Sequence, residues 1–180
     1  MNSVLSRRKF FVMSGTGMLV GCAFQPVYMP TASGAAGPAQ RELAAINVNP
    51  IPDRPGQLLR DDLKERLASD SGSTLQQYDL AVNFTISGEG IGIEPDNAAT
   101  RVRLIGNAYW TLRARDPDRT QVSTGFARAM DAFNVLDQQY FAADLNTEQV
   151  QRRLASSIAD QIAAQLAAFF RRRADVASNH

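Results

Sequence analysis

The chain has 180 residues, 44% of them hydrophobic and 21% charged, the size and balance of one globular domain and not of a disordered or collagen-like polymer. Its formal charge is +1, and setting aside Arg7, Arg8 and Lys9 of an acid-free leader leaves 16 basic against 18 acidic residues, without the basic excess on which non-specific nucleic-acid binding depends. The sole cysteine, Cys22, rules out an intrachain disulfide, and with His180 as the sole histidine there is almost no room for the usual zinc sites or for Ser-His and Cys-His catalysis.

Residues 1–21 form a short polar stretch, the basic run Arg7-Arg8-Lys9 and an apolar run over residues 10–20, too short for a permanent membrane span of about 20 residues and therefore expected to be a cleavable export signal. The run ends Leu19-Val20-Gly21-Cys22, which resembles the bacterial lipobox. That resemblance implies that the thiol of Cys22 receives a diacylglycerol, that cleavage makes Cys22 the new N-terminus, and that further acyl chains of the palmitate type are added. Ser6-Arg7-Arg8-Lys9-Phe10-Phe11 also resembles a twin-arginine export motif, so this route and the general secretory route both stay open. Residue 23 is Ala and not Asp, so the usual inner-membrane retention signal is missing. The resemblance then implies the periplasmic face of the outer membrane of a Gram-negative cell, where several acyl chains at about 0.8 kcal/mol per buried CH₂ make the anchoring stable.

Residues 23–40 carry Pro26, Pro30, Pro38, Gly34 and Gly37 with no sustained period and are expected to be an acylated tether, reaching at most roughly 60 Å when fully extended. Residues 41–51, with Leu43, Ile46 and Val48 ahead of Asn49-Pro50, suggest a first strand. Pro55-Gly56 opens a helix in which Leu59, Leu63 and Leu67 recur every four residues, and Ser71-Gly72-Ser73 is expected to stop it. Tyr78, Leu80, Val82, Phe84 and Ile86 alternate with Asp79, Ala81, Asn83 and Thr85, the pattern of a strand buried on one face. Residues 88–96 are expected to be a loop, although Ile91 and Ile93 allow the strand to run on or a hairpin edge to start. From Arg101 the apolar Val102, Leu104, Ala108, Trp110 and Leu112 take the even positions. Asp116-Pro117-Asp118-Arg119 makes a turn into residues 121–133, where Val122, Phe126 and Met130 are expected to continue the buried alternation. Asn146-Thr147-Glu148-Gln149 offers a cap for a long helix with Val150, Leu154, Ile158, Ile162, Leu166 and Phe170 on one stripe, ending near Arg171-Arg172-Arg173. Residues 41–174 are thus the domain, and 175–180 a disordered tail.

The order β-α-β-β-β-α, with one apolar stripe per helix and one apolar face per strand, implies an α+β two-layer sandwich: a mixed four-stranded sheet with two helices on one face. The other face is left uncovered. It would carry Arg101, Arg103, Tyr109 and Arg113, which suit bidentate contact with phosphate but equally suit an ordinary solvated sheet face. Tyr28, Tyr140 and Phe141 could meet a partner or simply pack. Gly88-Glu89-Gly90-Ile91-Gly92 lacks the Lys-Ser/Thr of a phosphate loop, and Asp61-Asp62 lie on a solvent face of the first helix, so no catalytic or metal-binding set is found.

Several of these segments resemble one family. Gly21-Cys22-Ala23-Phe24-Gln25-Pro26-Val27-Tyr28 is similar to the acylation site and following Phe-x-Pro-Leu-Tyr segment of the LptE lipopolysaccharide-assembly lipoproteins, with Ala23 in place of the usual Gly. Ile51-Pro52-Asp53-Arg54-Pro55-Gly56-Gln57-Leu58-Leu59-Arg60 resembles that family's entry into its first helix. Tyr78-Asp79-Leu80, Thr100-Arg101, Ala108-Tyr109-Trp110, Phe133-Asn134 and Gln139-Tyr140-Phe141-Ala142 agree in order. The resemblance covers most of residues 21–170. It implies a non-enzymatic protein that plugs and helps assemble the outer-membrane β-barrel LptD and meets lipopolysaccharide on its way to the outer leaflet. The reading from a different class is an outer-membrane lipoprotein subunit of a phospholipid or solute transporter, holding a periplasmic partner by its sheet edge.

Overall fold

The computed structural model describes residues 37–68, 75–91, 101–134 and 140–178. The export leader, Cys22, Tyr28 and Ser71-Gly72-Ser73 lie outside the described residues, as do the side chains of Tyr140 and Phe141. In chain order the elements are α1 (Pro38–Ala44), β1 (Ile46–Val48), α2 (Asp53–Leu67), β2 (Tyr78–Gly90), β3 (Arg101–Ala114), β4 (Gln121–Asn134) and α3 (Tyr140–Ser178). The sheet has the order β1-β2-β3-β4, with β1 parallel to β2 and the other neighbours antiparallel. This is the mixed four-stranded α+β sandwich expected, with one helix more.

The additional helix corrects the reading of residues 41–51 as one strand. Pro38 sits in the first turn of α1, where its missing N–H costs nothing. Ala39 and Leu43, four apart, are both buried, a helical spacing that an alternating reading overlooks. Only Ile46–Val48 pairs with β2. Helix α2 ends at Leu67, with Ala68 in the left-handed conformation at φ 52° as its cap. Strand β2 runs on to Gly90, so Gly88 and Glu89 are strand and not loop. Helix α3 starts six residues before the expected cap, leaving Asn146 and Thr147 inside it. It also continues past Arg171-Arg172-Arg173, so residues 175–178 are helical and not a disordered tail.

The core lies between the helices and one sheet face. Val150, Leu154, Ile158, Ile162, Leu166 and Phe170 are all buried, and so is a second stripe of Ala155, Ala159, Ala163 and Ala167. Small residues on both sides let α3 approach the sheet closely: Gly106, Ala108, Gly125 and Ala127 lie on the inner face. A Cβ on Gly106 would fall 2.9 Å from Ile158 Cδ1, and one on Gly125 only 2.4 Å from Trp110 Cζ2. Trp110 is 2% exposed, and its Nε1–H donates to Gln165 Oε1 at 3.1 Å. Tyr78 packs on Phe170 with ring centroids 5.4 Å apart and donates its hydroxyl to Glu42 of α1, which ties α1 to the far end of α3.

One expectation about β4 is reversed. Leu112 pairs with Ser123 and Arg113 with Gln121, so Val122 has no counterpart and forms a bulge. The extra residue shifts the parity of everything after it. Ala127 is buried, whereas Phe126 and Met130 come to the outer face, 43% and 59% exposed.

Candidate functional site: the open sheet face

The helices cover one face of the sheet, and the register fixes what the other presents. Across β2, β3 and β4 the outward rows are Asn83–Tyr109–Phe126, Thr85–Asn107–Arg128 and Ser87–Ile105–Met130, flanked by Glu89–Arg103–Ala132 at one end and Asp79–Arg113–Gln121 at the other. Tyr109, 64% exposed, meets Phe126 across the strand pair with ring centroids 4.8 Å apart and planes at 41°, an offset contact of the favourable kind. Ile105 and Met130 make a second apolar pair on this face, parted from the two rings by the row of Thr85, Asn107 and Arg128.

The structure does not gather the predicted arginines into one cluster. Arg101 and Arg103 lie at the start of β3 and Arg113 at its end, and ten residues of strand separate Arg103 from Arg113 by roughly 33 Å. No single phosphate can be clamped by all three. Arg103 is already engaged, its Nε 2.6 Å from Glu89 Oε1. Arg113 is exposed opposite Asp79, and Asp79 itself accepts from Asn47 at 2.8 Å and from Arg115 at 2.8 and 3.0 Å. The Arg115 guanidinium, and then Asn47, hold the Asp79 carboxyl below its ordinary value. Tyr109 is the predicted residue nearest the middle of the face. Alternation alone conceals Arg128, because it puts the even positions of β4 in the core and the bulge at Val122 brings them to the open face.

Other perturbed groups have local explanations away from this face. Burial raises Asp62, and a hydrogen bond with Asp160 raises Arg66, in a network joining α2 to α3 through Ser156. Burial raises Tyr78, and Thr120 lowers Asp116 in the β3–β4 turn. Among the described residues no three acidic, histidine or cysteine side chains come together as a metal ion would need, and no helix is long and apolar enough to cross a membrane.

Comparison with known proteins bears on the whole domain. The model of a family described as LptE, lipopolysaccharide-assembly, matches residues 43–166. A candidate lipoprotein from Caulobacter crescentus CB15 has a similar structure, at TM-score 0.60 and 24% identity, covering 73% of this chain and 95% of that one. The rare lipoprotein B from Shewanella oneidensis is similar at TM-score 0.53 and 12% identity, covering 75% of this chain and 98% of its own. At such identities the two structures speak for a shared fold. No curated protein matches the chain at a significant level.

Proposed function

The chain belongs to the LptE lipopolysaccharide-assembly family, and from that membership we propose that it is a non-enzymatic outer-membrane lipoprotein, anchored on the periplasmic side through acyl chains and a diacylglycerol on Cys22, that plugs and helps assemble an LptD-type β-barrel during lipopolysaccharide delivery. The observation that carries this reading is the sheet face left uncovered among the described residues. A one-sided sandwich whose free face is rich in Asn, Thr, Ser and Arg, with Tyr109, Phe126 and Met130 raised on it, suits the polar interior of a large barrel better than a lipid surface. Exposed aromatic and Met side chains with arginine beside them are the composition of a protein-binding patch.

Lipopolysaccharide phosphates are assigned to Arg101 and Arg103 at one end of this face and to Arg113 at the other, with Tyr109 between them. The two ends, roughly 33 Å apart, act as separate contacts along one extended ligand.

Affinity purification of the acylated protein from mild-detergent outer membranes, followed by mass spectrometry, tests the plug. A large β-barrel recovered in near-equal amount supports it; a transporter subunit in its place refutes it. Replacing Arg101, Arg103 and Arg113 together by Gln then tests the ligand assignment, with lipopolysaccharide binding expected to weaken at least tenfold and the melting temperature to hold. Unchanged binding and barrel assembly would sink that assignment.

A further inference from the structure

The two edges of the sheet are treated in opposite ways. Along β4, helix α3 closes the edge with two glutamines: Gln161 Nε2 donates to the Arg128 carbonyl at 3.0 Å, its Oε1 accepts from the Arg128 N–H at 3.3 Å, and Gln165 Nε2 donates to the Phe126 carbonyl at 2.9 Å. On the far side β1 covers only three residues of the thirteen in β2. After Asn49, whose N–H still reaches the Leu80 carbonyl, the chain leaves β2 and enters α2 at Asp53, so the ladder is not continued.

Parity shows which groups of β2 are left. Tyr78 N–H donates to the Ala45 carbonyl and the Leu80 carbonyl accepts from Asn49 N–H, so even-numbered residues direct their backbone groups outward. Odd-numbered ones face β3, as the bonds of Gln77 and Ile91 with Arg115 and Arg101 show. The N–H and C=O of Val82, Phe84, Ile86 and Gly88 therefore point to the open side, where no backbone partner meets them among the described residues. These residues span roughly 20 Å of strand. The stretch itself has no Pro, no Lys and no bulge, its one nearby charge, Glu89, is engaged with Arg103, and no described element covers it.

We infer that the outer edge of β2, over residues 82–88, is a docking edge that receives an extended segment of the barrel partner as a fifth strand. The partner's identity rests on the plug reading; the edge itself does not. A row of alternating donors and acceptors at strand spacing is matched by another polypeptide backbone and by neither acyl chains nor sugars. The side chains add a pattern. Phe84 and Ile86 are half-buried on the helix side, while Asn83, Thr85 and Ser87 are exposed on the open face, so the incoming strand carries apolar residues toward the helices and polar ones on the other side. This edge is continuous with the face assigned to the barrel, so a chain surrounding that face is in place to reach it. Pairing of β2 with a second copy of the same chain is the competing occupant.

Amide hydrogen exchange on the full-length acylated protein, alone in detergent and then in the purified complex with its barrel, decides the matter. The amides of Phe84, Ile86 and Gly88 are expected to exchange fast in the free protein and at least tenfold more slowly in the complex, while those of Asn83, Thr85 and Ser87, bonded to β3, stay protected in both. As a second measurement, Gly88→Pro removes one outward N–H and leaves the hydrogen bonds to β3 intact, with the Leu104 methyl 3.1 Å from the new Cβ giving way; set against Gly88→Ala, which brings the same Cβ and keeps the N–H, it is expected to melt within a few degrees while barrel recovery falls several-fold in the proline variant alone. Slow exchange of the even-numbered amides in the free monomer, or their protection in a two-copy assembly without the barrel, overturns the inference. A barrel that co-purifies while these amides still exchange fast overturns it and leaves the plug reading standing. Recovery of no barrel overturns both.

Discussion

Replacing Gly125 by Ala probes the tight approach of α3 and Trp110 to the sheet. The new Cβ would lie 2.4 Å from Trp110 Cζ2, 2.6 Å from Cε2 and 2.7 Å from Gln165 Oε1, against ordinary carbon contacts of about 3.5–4.0 Å. The indole cannot step aside, because Trp110 is 2% exposed between the sheet and α3. Overpacking of this kind costs about 1–3 kcal/mol. Displacing the indole also strains the Nε1–Gln165 bond, and an orphaned buried N–H adds about 1–3 kcal/mol. A loss of about 3 kcal/mol is expected, and at about 2–4 °C per kcal/mol for a domain of this size the melting temperature should fall by about 6–12 °C. Urea and thermal unfolding of the unacylated full-length chain, followed by far-ultraviolet circular dichroism, measure it. The same substitution in a Trp110→Phe background, where the ring is smaller and carries no N–H, should cost at least about 1 kcal/mol less. A loss below about 0.5 kcal/mol, or an equal loss in both backgrounds, would refute the packing argument.

Gln161→Ala with Gln165→Ala should lower stability by about 1–3 kcal/mol, chiefly by orphaning the Trp110 N–H, since the bonds to the strand edge are exposed to water; the bared β4 edge should also drive self-association visible by light scattering, and a monomer of unchanged stability would contradict the capping role. The Asp79 carboxyl is held low by Arg115, so its contribution is complete above the unfolded value of about 4 and is lost as pH falls through the lower folded value. Urea titrations should accordingly show stability declining at acid pH, with that part of the decline missing in Asp79→Asn; an identical acid limb in both proteins would show that the ion pair plays no part. Ala68→Gly should raise stability by about 0.5–1 kcal/mol, since φ 52° is strained for Ala and free for Gly, and a lowered melting temperature would count against that cap.

The candidate site was partly visible beforehand. Alternation along β3 placed Tyr109 and the three arginines on the polar face, and the register agrees for each of them. Their spread along the strand is implicit in their numbers, since one face of a strand extends over its whole length. Arg128, Phe126 and Met130 were hidden by one residue: a bulge has no composition of its own in this strand, and Val122 looks like any other apolar position. Helix α1 is not legible in the sequence because Leu43, Ile46 and Val48 are too few to separate a period of 2 from one of 3.6.

Local pattern alone determined the elements that repeat long enough to average out accidents: the buried stripe of α3, the leucines of α2, the one-sided alternation of β2 and β3, and hence a two-layer sandwich with one bare face. Those periodicities follow from backbone geometry, which every residue obeys wherever it sits in the fold. Tertiary structure decided what depends on pairing between distant segments. The parity of β4 was set by its register against β3, the closed edge by glutamines of α3 meeting strand carbonyls, and the open edge by the chain leaving β1 for α2 while β2 continues. None of these is a property of a single segment, because a hydrogen bond between strands exists only once both have been brought together.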